Sequence, residues 1–160
     1  MDNLTVVVPF YRGEVTLRRL LDSLPPRLPV IIVDDGYSEG LEFPDLGEAE
    51  NGRVSVMHLS RKGYFAGAVN AGIRACAGDV LVLNQDAWLE GDGQLDLLAE
   101  KRGDYALIGE HIGGEHPAFP HGYVHGTFMF MRRDAIDAAG LLNEADYPLW
   151  GCTAEWQWRA

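Results

Sequence analysis

Short apolar runs and amphipathic stretches follow one another closely along this chain. Leu4 to Val8 is a β-branched run ended by Pro9, which predicts a strand. Val15, Leu17, Leu20, Leu21 and Leu24 then fall at helical spacing and stop at Pro25 and Pro26. Val30 to Val33 and Arg53 to Leu59 predict a second and a third strand, divided by a loop rich in glycine, proline and acids. Phe65, Ala68, Val69, Gly72, Ile73 and Cys76 return to helical spacing, and Asp79 to Leu83 follows at once as a fourth strand. Further on, the pattern predicts a helix over 94–102, a strand over 105–109, an irregular segment over 113–122, a strand over 124–131 and a short helix over 134–140.

Strands that are apolar throughout, not alternating, are covered on both faces, so helices must flank a largely parallel sheet. The expected class is α/β, Rossmann-like. With 160 residues one core can be built, and a single domain over 1–160 is expected, without internal repeats.

A formal charge of -11 argues against a nucleic-acid partner, which would require a concentrated basic face. No apolar run approaches the roughly 20 residues of a membrane span. The opening Met1, Asp2 and Asn3 lacks the basic and apolar regions of a secretory signal, so a cytoplasmic location is expected. Cys76 and Cys152 are too few for a disulfide framework or a cysteine-rich zinc site.

In open α/β sheets ligands bind beyond the carboxyl ends of the strands. Three polar clusters stand there: Phe10 to Arg12, Asp34 to Gly36, and Asn84 to Asp86. Asp34 and Asp35 can accept hydrogen bonds from a base or a ribose, although an Asp followed by Gly is also a common turn. Asp86 offers a hard oxygen to Mn2+ or Mg2+, which often take one or two carboxylates and complete their shell with phosphate and water. It also suits a turn or a helix cap. Gly63 to Gly72 opens a helix with small residues, whose free N–H groups favour phosphate, and Arg61 and Lys62 precede it. Asn70 is placed off that helix's apolar face, as a polar contact.

Together these blocks resemble family 2 of the GT-A glycosyltransferases. Thr5 to Tyr11 is similar to the family's opening strand, Val33 to Gly36 to its uridine-contacting turn, Gly63 to Gly72 to its Gly/Ala/Asn helix, and Asn84-Gln85-Asp86 to its DxD-type motif. The segment His121 to Arg133 resembles the block in which a glycine-led strand closes the sugar site. The resemblance implies a UDP- or dTDP-sugar donor laid across the strand ends, with a nucleotide-binding part over about 1–90 and an acceptor-side part over about 91–160. It implies donor contacts from Pro9, Tyr11, Arg12, Glu14, Asp34, Asp35, Lys62, Gly63, Asn70, Asn84, Gln85 and Gly126. Asp86 would hold Mn2+ or Mg2+, and His121 or His125 would complete its shell or contact the acceptor. The implied activity is inverting transfer of a sugar to a hydroxyl on a glycan, a protein or a small molecule.

Two departures bear on the chemistry. Asn84 stands where the family often has a carboxylate, so metal binding rests on Asp86. Over 150–159 the family carries an acidic pair that supplies the base, and here Cys152 and Thr153 occupy its place. Glu155 is then the expected base, with Asp146 and Glu144 as alternatives, because an acceptor hydroxyl needs a carboxylate within reach. Trp150 and Trp156 are expected on the acceptor side. Relatives continue past this block, so a short form, minimal or truncated, is expected. Without an effective base the same fold would act as a nucleotide-sugar or glycan binding module.

Overall fold

The computed structural model describes residues 3–46, 52–113, 120 and 122–160. Among them six strands form one sheet: β1 (Leu4–Phe10), β2 (Val30–Asp34), β3 (Val54–His58), β4 (Asp79–Leu83), β5 (Leu107–Ile112) and β6 (Tyr123–Met131). Their order is β3-β2-β1-β4-β6-β5. The four strands from β3 to β4 are mutually parallel, and β6 runs antiparallel to both β4 and β5. The helices are α1 (Glu14–Ser23), α2 (Tyr64–Ala75), α3 (Gly93–Lys101), α4 (Arg133–Ala139) and α5 (Cys152–Arg159).

Strand periodicity sorts the core into two layers. Val6, Val8 and Phe10 of β1 pack with Leu17, Leu20 and Leu21 of α1 and with Leu95 and Leu98 of α3. On the opposite face Val7 joins Val82 and Met129, covered by Val69 and Ile73 of α2, Ile136 of α4 and Trp156 of α5. This two-sided cover explains the unbroken apolar runs of β1 and β4. Strand β3 departs from that expectation: it lies at the sheet edge, where Ser55, Val56 and His58 are exposed.

Strand β5 extends to Ile112, three residues beyond the expected end at Gly109. Pairing with β6 dictates this, through a register shift between Gly109 and His111. Glycine is needed at that point because a Cβ would run into the Phe128 carbonyl and the Val124 side chain. The expected irregular segment over 113–122 falls mostly outside the described residues, and so does His121.

Helix α2 is fixed at both ends. Its first turn is bound by Asp35, described below. At the other end the Arg133 guanidinium donates to the carbonyls of Ile73, Cys76 and Gly78 at 3.4, 2.9 and 2.9 Å. They lie at and just past the C-terminus of α2, where a cation suits the helix dipole. Between the two ends Gly72 lets the helix approach β1 so closely that a Cβ there would strike Val7.

Helix α5 is tied to β6 by Gln157, whose amide accepts from the Val124 N–H and donates to its carbonyl, both at 2.8 Å. Trp156 is fully buried, with its indole N–H donating to the Gly140 carbonyl at 2.7 Å. The expected acceptor-side place for Trp156 is therefore corrected: the residue faces α2 and the sheet because its position on α5 turns it inward. Among the described residues no helix is long and apolar enough to cross a membrane.

Candidate functional site

The carboxyl ends of β1, β2 and β4 open on a cleft of about 560 Å³. Pro9, Tyr11, Asp35, Lys62, Asn84, Gln85 and Asp86 form its wall, so three clusters distant in sequence meet there. The sheet order causes this, because β1 lies between β2 and β4. Gln85 knits two of the clusters: its amide oxygen accepts from the Tyr11 N–H at 2.8 Å and its amide nitrogen donates to the Arg12 carbonyl.

The two aspartates at the end of β2 do different things. Asp34 is buried; one oxygen accepts from the Gly36 N–H at 2.9 Å and the other lies 2.8 Å from Nδ1 of His58. It holds the turn and does not line the cleft. Asp35 does line it. Its two oxygens accept from the N–H groups of Gly63 at 2.5 Å and Tyr64 at 3.0 Å. The start of α2 is thus capped by a carboxylate from another element, in the manner of an N-cap. The expectation of free N–H groups there for phosphate is corrected at Gly63 and Tyr64, whose N–H groups the protein's own anion already occupies.

Lys62 lies beside this cap, 3.5 Å from Asp35 and 3.4 Å from Glu39, with its ammonium 3.2 Å from the centroid of the Tyr11 ring. Partial burial works against the lysine charge, but Asp35 and Glu39 outweigh it and hold the pKa above the ordinary value. The Tyr11 hydroxyl donates to Glu39 at 2.7 Å. That bond, helped by Lys62, keeps the Glu39 carboxyl below the usual range. Glu39 sits on a 3-10 turn over Tyr37–Glu39 and lines the cleft. It was missed in the sequence; its one signal is an acid three residues past Gly36.

At the other end of the cleft Asp86 is exposed. Among the described residues no three His, Cys, Asp or Glu side chains gather to hold a metal. The donor set here is one carboxylate beside the amides of Asn84 and Gln85, which fits an ion that takes its remaining ligands from phosphate oxygens and water. His125 does not join it: Nδ1 lies 2.6 Å from the Thr127 hydroxyl, and the ring lines a separate cavity of about 290 Å³.

That neighbouring cavity shares Phe65, Asn84 and Leu149 with the cleft and is walled by Gly126, Trp150, Cys152 and Thr153. Trp150 is 76% exposed there. Gly126 serves close packing, since a Cβ would stand 2.7 Å from the Phe65 ring. Cys152 and Thr153, in the place of the acidic pair, bring no carboxylate. Burial pushes the Cys152 thiol up to about 11.

Several expected site residues lie elsewhere. Arg12 is exposed and stacks on Tyr11, with its guanidinium carbon 4.9 Å from the ring centroid. Glu14 pairs with Arg18 along α1 at 3.0 Å. Asn70 is buried, exchanging hydrogen bonds with the Leu142 backbone and donating to Glu144 at 3.0 Å. Glu155 is gripped by Arg159 at 2.5 and 3.0 Å, and Asp146 is bonded to Asn143 at 3.0 Å. None of Glu14, Asn70, Glu144, Asp146 and Glu155 lines either cavity described so far. For Glu155 the cause is local: Arg159, one turn on, draws the carboxylate along the helix.

The sequence matches the model of glycosyl transferase family 2 over residues 5–105. Comparison with curated proteins gives no match. Among solved structures, mannosyltransferase PcManGT from Pyrobaculum calidifontis, in complex with GDP-Man and Mn2+, is 16% identical with a TM-score of 0.66, over 89% of this chain and 48% of that one. S. aureus TarS 1-349 in complex with UDP is 18% identical with a TM-score of 0.65, over 98% and 54%. GalNAc-T7 with UDP, GalNAc and Mn2+ is 15% identical with a TM-score of 0.68, over 94% and 39%. At such identities the likeness concerns the fold, which is that of the GT-A glycosyltransferases. The chain spans about half the length of PcManGT and TarS 1-349.

Proposed function

The chain belongs to glycosyl transferase family 2, and from that premise we propose that it binds a UDP- or dTDP-sugar in the cleft over the strand ends and transfers the sugar with inversion to an acceptor hydroxyl. The observation that carries this reading is the meeting of Tyr11, Asp35, Lys62, Asn84 and Asp86 in one cavity large enough for a nucleotide. The base and ribose belong at the end walled by Tyr11, Asp35 and Glu39, where carboxylate oxygens accept from N–H and hydroxyl groups. The diphosphate belongs at Asp86.

Asp86 would hold Mn2+ or Mg2+, and such an ion would supply positive charge to the leaving diphosphate. Lys62 keeps its proton and steadies the Asp35 and Glu39 carboxylates beside the ring of Tyr11. In the transfer the acceptor oxygen bonds to the anomeric carbon while the bond from that carbon to the diphosphate oxygen breaks. The bonding electrons leave with the diphosphate, and the hydroxyl proton passes to a base.

Isothermal titration with UDP, with and without Mn2+, tests the donor half. Mn2+ is expected to tighten UDP binding in the parent protein, and Asp86→Ala is expected to abolish that gain with the fold retained. Metal-stimulated binding that survives in Asp86→Ala would remove the ligand role. Transfer and donor-hydrolysis assays over a panel of nucleotide sugars test the rest.

A second reading, a donor-binding module with little or no turnover, is favoured by one observation. The three carboxylates expected as base, Glu155, Asp146 and Glu144, are each bonded within the fold and away from the cleft. Donor binding without turnover under every condition would select it.

A further inference from the structure

Asp86 also belongs to the wall of a second large cavity, of about 540 Å³, between α3, the end of β4 and the middle of β5 and β6. We propose that this cavity receives the acceptor, and that the acceptor is an uncharged saccharide and not a phosphate-bearing molecule. The proposal rests on the donor reading above. Its first support is continuity: one carboxylate stands in both walls, so a hydroxyl held in the second cavity lies next to the end of the cleft assigned to the diphosphate.

The second support is the shape and chemistry of the wall. Trp88 forms part of it, and the Arg19 guanidinium lies over the ring 3.4 Å from its centroid. Arg19 is not itself in the wall, and its stacking on the indole fixes the ring beside the cavity. Leu97 of α3, 54% exposed, adds a further apolar surface. An indole and an aliphatic side chain suit the C–H face of a pyranose, and Gln94 offers both a donor and an acceptor to its hydroxyls.

Charge then selects among saccharides. Asp86, Glu90 and Glu110 stand in the wall, and no lysine or arginine does among the described residues. Away from the ion assigned to Asp86, a phosphate beside Glu90 and Glu110 would face like charge with no side-chain cation to pair, whereas neutral hydroxyls donate readily to carboxylates.

The test is a two-dimensional NMR titration of the full chain with cellobiose, lactose and chitobiose, with glucose 1-phosphate as the charged probe, and with UDP plus Mn2+ separately. At least one neutral disaccharide is expected to move the Trp88 indole N–H and the Gln94 and Leu97 amides, and glucose 1-phosphate is not. UDP is expected to move the Tyr11 and Lys62 amides. Trp88→Ala should weaken the disaccharide roughly tenfold, the loss of one aromatic face. Gln94→Ala, an exposed change that spares the fold, should weaken it by a smaller factor while UDP still binds. No movement at Trp88 with any disaccharide, movement confined to the Trp150 cavity, or equal binding of glucose 1-phosphate at Trp88 would overturn the proposal. A disaccharide response at Trp88 without a UDP response at Tyr11 and Lys62 would instead sink the donor reading and leave the saccharide site standing.

Discussion

Replacing Asp35 by alanine should destabilise the protein by about 2 kcal/mol, because one carboxylate supplies both acceptors for the N–H groups of Gly63, the N-cap of α2, and of Tyr64, its first residue. Loss of an N-cap acceptor costs typically about 1 kcal/mol, and loss of a partly buried negative charge at a helix start adds up to about the same again. The ion pair with Lys62 contributes little to the difference, since Glu39 remains 3.4 Å from the ammonium. For a chain of this length, 2 kcal/mol lowers Tm by about 4–8 °C. Asp35→Asn keeps an oxygen acceptor but no charge, so its Tm should fall by about half as much. Thermal melts followed by circular dichroism, with urea titrations to check that the m-value is unchanged, measure both. Hydrogen exchange at the Gly63 and Tyr64 amides should accelerate in the alanine variant. If Asp35→Ala melts within about 1 °C of the parent, the cap is not stabilising α2 and the carboxylate serves the ligand alone.

The other outcomes follow from packing and burial. Gly72→Ala forces a methyl group into Val7 of β1 and should lower stability by about 1–3 kcal/mol in urea titrations. Trp156→Ala empties a fully buried site and orphans the Gly140 carbonyl, so it should cost about 3–5 kcal/mol, while Trp150→Ala should stay within about 0.5 kcal/mol. The Cys152 thiol titrates near 11 in the folded chain against a reference of 9.0. The folded state therefore holds a proton that the unfolded state has lost between those values, and stability should fall as pH rises from about 9 to 11. Cys152→Ser should flatten that part of the stability profile, as read by urea midpoints at pH 8, 9.5 and 11.

The elements were legible where one physical signal decided them. The unbroken apolar runs of β1, β2 and β4 announced strands covered on both faces, and the stripes from Val15 and Phe65 announced α1 and α2. Edge position was not legible in β3, whose apolar residues look like those of a buried strand until its neighbours are known. The rim was legible because the rule that ligands bind beyond the carboxyl ends needs only the strand ends, and Asp35, Lys62 and Asp86 do stand on one wall. What each side chain bonds to was not legible. Asp34 and Asp35 are adjacent in sequence and alike in type, yet one turns to His58 and the other to α2, a difference set by where β3 and α2 return in space. In the sequence Glu155 looks like an available carboxylate, but its capture by Arg159 depends on rotamers that also let Arg159 reach the Ala139 and Leu141 carbonyls.

Helix α2 meets a carboxylate at its start and a guanidinium at its end, both from elsewhere in the fold, so its dipole is already balanced before any ligand arrives. Many nucleotide-binding α/β proteins leave a helix start open and let its field hold the phosphates. In this chain Asp35 takes the Gly63 and Tyr64 N–H groups at that start, and Lys62 beside it is shared by two acids. On the donor reading proposed above, the charge of an incoming diphosphate would be met by an ion that arrives with it. Donor affinity should accordingly follow the concentration of free divalent ion far more steeply than the ionic strength of the buffer.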